Sequence, residues 1–149
     1  MSGEAAFNLD IGKGLDWYYK IPDDGSSLGA GGKRPFDGFG ILEGKPIYWE
    51  AKFLKTCEAF NFAQLKQHQI DNLVTIKKNA PEAVCLFIIG VKMAERDVRA
   101  FIFTDMLDIK QRKEERRSIL KKEFEQLSNY IRKTKGKYNL SDYLKDLGD

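Results

Sequence analysis

At 149 residues, with 42% apolar and 32% charged side chains, the chain has the size and balance of one soluble globular domain. A net charge of +3 is too small to argue by itself for a polyanionic partner, and the two cysteines, Cys57 and Cys85, fit neither a disulfide scaffold nor a metal-ligand spacing. No apolar run reaches the roughly 18 residues of a membrane span, and the N-terminus lacks a basic-then-apolar leader pattern, so the expectation is a reducing, cytoplasmic compartment and no membrane partner.

Residues 1–14 carry a weak helical pattern through Ala5, Phe7, Leu9 and Ile11, with Glu4 and Asp10 as the acids. The next stretch, LDWYYKIP, alternates Leu15, Trp17, Tyr19 and Ile21 against Asp16, Tyr18 and Lys20, which predicts a half-buried strand. Residues 23–33 are rich in Gly and Ser and read as a loop. They hold no GxxxxGK[ST] phosphate cradle, so nucleotide binding has no support there.

RPFDGFGILEGKPIYWEAKFLK, residues 34–55, reads as two short strands joined at Glu43-Gly44, where glycine supplies the positive φ of a tight turn. With a two-residue loop, Leu42 opposes Lys45 and Asp37 opposes Glu50. Like charges set directly across a sheet destabilise it, so something has to offset the repulsion, and a divalent cation held by one or two carboxylates plus water is the simplest candidate. Alternation puts Lys52 on the face of Glu50, and Phe36, Leu42, Ile47 and Trp49 on the other. A solvated hairpin with an ordinary Glu50–Lys52 ion pair would show the same alternation, and a one-residue slip would exchange the faces.

A helix is expected over about 61–79, ended by Ala80-Pro81, with Phe62, Leu65, Leu73 and Ile76 on its apolar stripe. Gln69 stands four residues from both Leu65 and Leu73, on that stripe. A buried amide needs partners, supplied either by neighbouring backbone or by the acidic hairpin face. His68, the only histidine, lies off the stripe and is read as neither ligand nor base. AVCLFIIGV is a nearly unbroken apolar run with Cys85, Phe87 and Ile89 on one side and Leu86 and Ile88 on the other, which suits a central strand covered on both faces. Residues 97–107 alternate around Phe101 and Phe103 and are read as the last strand. The order strand, hairpin, helix, strand, strand predicts an α/β mixed sheet with helices on its faces, in a single domain spanning 1–149.

From about residue 110 to the end the chain is expected to be basic and helical. Ile119, Leu120, Phe124, Leu127 and Ile131 keep helical spacing, and NLSDYLKDL reads as a short helix capped by Asn139. Arg116, Arg117, Lys121 and Lys122 lie in the densest cluster of bases, the electrostatic footprint of a phosphate backbone, although interleaved Glu114, Glu115, Glu123 and Glu125 also suit a solvated face.

Asp, a hairpin turn, then Glu-x-Lys resembles the motif of the PD-(D/E)XK nuclease superfamily. The run FDGFGILEGKPIYWEAK, followed by HQID on a helix, the strand CLFIIG and later RRSILKKEFE, is similar to one branch, the RecU-type Holliday junction resolvases, from about Tyr18 to Leu144. That resemblance implies a restriction-endonuclease-like mixed β-sheet flanked by helices. It implies Asp37 and Glu50, with the Ala51 carbonyl, as ligands of Mg²⁺ or Mn²⁺, Lys52 as the residue that orients or deprotonates the attacking water, and Gln69 as support from the helix. It further implies a homodimer that resolves four-way junctions or other branched DNA, with Lys33, Arg34, Lys55 and the Arg116–Lys122 bases against the DNA. The alternatives are a less structure-selective DNA nuclease and a catalytically weak DNA-binding module.

Three departures stand out. Family members carry a Glu on the first helix after an aromatic or aliphatic residue; here Asn8 follows Phe7, leaving Glu4 or Asp10 as substitutes. Pro35-Phe36 replaces the Thr expected before the first Asp, and the long basic stalk between the first strand and the hairpin shrinks to residues 23–33.

Overall fold

Strands β2 (Gly38–Leu42) and β3 (Lys45–Leu54) form the expected hairpin, with Leu42 opposite Lys45. Glu43 and Gly44 both take positive φ, 52° and 80°, the conformation of a two-residue turn whose twist matches the strands it joins. The computed structural model describes residues 3–22 and 34–147. The expected Gly/Ser loop, including Lys33, lies outside those residues.

The hairpin belongs to a seven-stranded mixed sheet in the order β1-β2-β3-β5-β6-β8-β9, where β1 is Trp17–Lys20, β5 Val84–Ala94, β6 Asp97–Phe103, β8 Tyr130–Thr134 and β9 Lys137–Tyr138. β3 runs parallel to β5, and the other neighbours are antiparallel. The crossover that parallel pairing requires carries α2 (Gln67–Asn79). One face of the sheet packs Cys85, Phe87, Ile89 and Val91 against Ile70 and Leu73 of α2, Met106 and Ile109 of α3 (Met106–Glu114), and Phe124 of α4 (Lys121–Gln126). The other packs Ile47, Trp49, Leu86 and Ile88 against Phe7 and Ile11 of α1 (Gly3–Lys13) and Leu140 of α5 (Leu140–Leu147). The apolar run 83–91 is thus a strand covered on both sides, its faces divided as its alternation predicts. None of the helices among the described residues is long and apolar enough to cross a membrane.

Several expectations are corrected. Trp17 and Tyr19 are 53% and 47% exposed, and Tyr18 faces the core instead. β1 is an edge strand, and α1 covers the Tyr18 side; alternation distinguishes two faces without saying which will be covered. Phe36 sits in the α2-side core, not with Leu42 and Trp49, because residues 35–37 form a bend and escape strand alternation. The helix expected from 61 is divided: Asn61 caps a 3₁₀ turn, Phe62–Gln64, and extended backbone at Leu65 and Lys66 precedes α2. Gln69 consequently lies in the first turn of α2. Residues 97–107 end as β6 at Phe103, and two more strands of the main sheet, β8 and β9, follow.

The basic segment is not one helix. After α3, Arg116 adopts a positive φ of 55°, and Ser118–Ile119 form β7, which pairs with β4 (Phe60–Asn61). Ile119 and Phe124 are buried from separate elements, while Leu120 is 56% exposed. The terminal helix forms as α5, with Asn139 Nδ2 donating to the Asp142 carboxylate.

Candidate active site

Asp37 enters the sheet just before β2 and departs from the hairpin register. Its backbone N–H donates to the Trp49 carbonyl at 3.0 Å, its own carbonyl accepts from Ile21, and its Oδ2 accepts from the Ala51 N–H at 2.8 Å. A side-chain oxygen therefore takes the place of a ladder carbonyl, fixing the carboxylate beside β3. Glu50 and Lys52 project from one side of β3, as strand alternation requires. Asp37 and Glu50 are 0% and 1% exposed.

Burial is the main cause that raises the pKa of both groups. It lifts the Asp37 carboxyl above its ordinary range despite the Ala51 N–H, Arg34, Lys52 and Asn8, and it lifts Glu50 well above, with the charge of Asp37 adding to the shift. The charge of Asp37 opposes ionisation of Glu50, although the direct opposition expected from the register is lost because the Asp37 N–H pairs with the Trp49 carbonyl.

Asn8 is the residue the sequence left unresolved. It is buried on α1, its Oδ1 accepts from the Trp49 indole Nε1 at 2.8 Å, and its Nδ2 reaches the Glu4 carbonyl at 3.2 Å and Asp37 Oδ2 at 3.5 Å. The indole lies over Gly38, where an added Cβ would meet Trp49 at 2.5 Å, so glycine is needed for that approach. Asn8 thus frames the site, its acceptor oxygen already engaged. Glu4, one helical turn earlier, brings Oε1 to 4.0 Å from Lys52 Nζ, whereas Asp10 pairs with Lys13 and Lys133. Of the two substitute acids, the structure brings Glu4 to the site. Replacing Asn8 by Ala would leave the buried indole N–H without its acceptor, and should cost about 1–3 kcal/mol in urea unfolding.

Gln69 is 3% exposed, as its position on the stripe predicts. Its Oε1 and Glu50 Oε1 are buried oxygens that accept no hydrogen bond among the described residues. His68 does not join the carboxylates; its Nε2 donates to the Arg34 carbonyl at 2.9 Å. Asn72 Nδ2 donates to the Pro35 carbonyl at 3.3 Å, so α2 grips the bend leading into Asp37. Arg34 itself places Nη2 at 2.8 Å from Asp37 Oδ1, a contact that sequence reasoning missed; its only sequence signal is the i,i+3 spacing.

Among the other predicted bases, Lys55, Arg116, Arg117, Lys121 and Lys122 are exposed. The β4–β7 pair and a 3.9 Å contact from Cys57 Sγ to the Lys121 carbonyl bring the Arg116–Lys122 segment beside the chain leaving β3. Lys110, Arg112 and Lys113 are engaged within the protein by Asp71, Asp108 and the Ala63 carbonyl.

The donors at the centre are all oxygens, which suits a hard divalent cation. No group of three or more His, Cys, Asp or Glu side chains is placed for a metal among the described residues. Two carboxylates plus backbone and water is the donor set typical of Mg²⁺. The orphaned Glu50 Oε1 and the buried acids give such an ion a physical reason to bind.

A family profile described as Recombination protein U matches residues 32–147. The chain belongs to the recombination protein U family. The match takes in the hairpin, α2, the central strand and the basic segment. The seven-stranded mixed sheet with helices on both faces is the α/β arrangement that the order of elements predicts. Among solved structures, the chain is similar to Hjc of Archaeoglobus fulgidus, a Holliday junction resolvase from an archaeal hyperthermophile. The identity is 20%, the TM-score 0.35, and the match covers 56% of this chain and 60% of that one. The match thus spans less than two thirds of that protein's length. A comparison with curated protein sequences gave no match.

Proposed function

We propose that this chain is a metal-dependent endonuclease that cuts phosphodiester bonds in branched DNA, with a four-way junction as its substrate, and that residues 1–149 act as one nuclease domain. The observation that supports this most is the buried Asp37–Glu50 pair with Lys52 on the same strand, in a member of the recombination protein U family. Asp37, Glu50 and the Ala51 carbonyl would hold Mg²⁺ or Mn²⁺, which supplies charge stabilisation at a phosphate oxygen and acidifies a bound water.

The protein's own groups do the rest. Lys52, 24% exposed at its side chain, orients the attacking water and takes part in its proton transfer, while Glu4 steadies the ammonium. Gln69 supports Glu50 from α2. Lys33, Lys55, Arg116, Arg117, Lys121 and Lys122 contact the backbone. Such contacts are salt-sensitive and largely independent of sequence. A homodimer would place two such sites for paired cuts on opposite strands of a junction.

The test is cleavage of a labelled four-way junction beside matched linear duplex, with Mg²⁺, Mn²⁺ or EDTA. The expected result is paired nicks in the junction only, and only with metal. Equal cutting of both substrates would replace the junction by a broader DNA substrate, and tight binding with no cutting would leave only a DNA-binding module.

A further inference from the structure

Asp37 divides its two oxygens. Oδ2 is committed to the frame, through the Ala51 N–H and Asn8. Oδ1 faces Arg34, whose Nη2 lies 2.8 Å away, yet among the described residues no donor is aligned on Oδ1 as a hydrogen bond. The contact is therefore one of charge, without the directional fork that makes arginine–carboxylate pairs tenacious. Glu50 Oε1 is a second buried oxygen that accepts no hydrogen bond among the described residues.

The guanidinium is delivered by anchored backbone, not by a wandering side chain: His68 and Asn72 of α2 hold the Arg34 and Pro35 carbonyls. The Arg34 side chain is 17% exposed, so its charge acts at reduced screening.

We propose that Arg34 is a resident counter-cation of the active site, neutralising Asp37 in the metal-free protein and competing with the divalent ion for Asp37 Oδ1. This rests on the divalent-cation reading above and adds an antagonist to it. Metal loading requires Arg34 to leave Oδ1, and the same arginine protects the fold when metal is scarce.

The experiment titrates Mn²⁺ into DNA-free protein, counting free ion by electron paramagnetic resonance, for the native chain, Arg34→Gln, Arg34→Lys and Asp37→Asn. Melting in EDTA is recorded for each. Arg34→Gln should bind Mn²⁺ roughly tenfold tighter, a free-energy change on the scale of one charge contact, and should melt lower in EDTA but not with saturating Mn²⁺. Arg34→Lys keeps a charge that lacks the guanidinium's reach, so it should fall between native and Arg34→Gln and supply the comparison if the glutamine variant does not fold. Equal or weaker Mn²⁺ binding by the folded Arg34 variants, with binding lost in Asp37→Asn, overturns the competition while leaving the metal site standing. No Mn²⁺ uptake by the native chain overturns both.

Discussion

Lys52→Ala should lower single-turnover cleavage of a four-way junction by about 10²- to 10⁴-fold, the contribution typical of a positioned proton-transfer group. Binding of the same junction should stay within about twofold, because one part-buried ammonium adds little to a surface of phosphate contacts. The fold should tolerate the change: Lys52 is part-exposed, and its ion pair with Glu4 is long, at 4.0 Å. Stability should move by no more than about 0.5 kcal/mol. Lys52→Arg should fail to restore the rate, since a guanidinium is bulkier and does not surrender a proton. A Lys52→Ala rate within tenfold of native would remove Lys52 from the chemistry.

In EDTA at neutral pH, Glu50→Gln should be more stable than the native chain, by about 1–2 kcal/mol, the usual gain when a destabilised active-site group is relieved. In melting temperature that is about 2–8 °C. The sign follows from linkage. Burial and the Asp37 charge raise Glu50 well above the ordinary carboxylate range, so the folded chain holds that proton more firmly than the unfolded one. The resulting stability is fully present below the unfolded value and is lost as pH rises through the raised folded value. The advantage of Glu50→Gln should therefore be largest at neutral pH, shrink as pH falls towards the ordinary carboxylate range, and vanish below it. Saturating Mg²⁺ should erase it as well, by stabilising the native chain alone. A Glu50→Gln protein that melts below native in EDTA at every pH would show that the carboxylate is structural.

Those two expectations rest on residues that were legible in the sequence, and it is instructive where legibility stopped. The Glu43-Gly44 turn fixes its register locally, so the approach of Asp37 and Glu50 could be argued from spacing alone. The strand 84–94 was readable because both its faces are covered and its alternation has no choice to make. At β1 a choice existed. Trp17 and Tyr19 look like core side chains, yet the packing of α1 against Tyr18, where Gly12 leaves room for the ring, decides which face is buried.

Residues 110–137 failed for a related reason. Ile119 and Phe124 keep helical spacing, but Ile119 is claimed by a strand pairing with Phe60, nearly sixty residues earlier. Non-local pairing overrode local periodicity. At the site, the carboxylates and Lys52 followed from strand geometry and Gln69 from its place on an apolar stripe. Arg34 was expected only against DNA, because its contact with Asp37 depends on the bend at 35–37 and on His68 and Asn72 holding it. Asn8 was visible as a departure, but only Trp49 shows what the amide does.

Whether Asp37 and Glu50 hold a divalent ion is decided by diffraction from crystals soaked in Mn²⁺, with the ion located by its anomalous signal. A single strong peak is expected at coordination distance, about 2.0–2.2 Å, from an oxygen of Asp37 and an oxygen of Glu50, with Arg34 withdrawn from Asp37 Oδ1. A fully soaked crystal with no peak between the two carboxylates, or with Mn²⁺ bound elsewhere while Arg34 stays on Asp37, would contradict a metal site there.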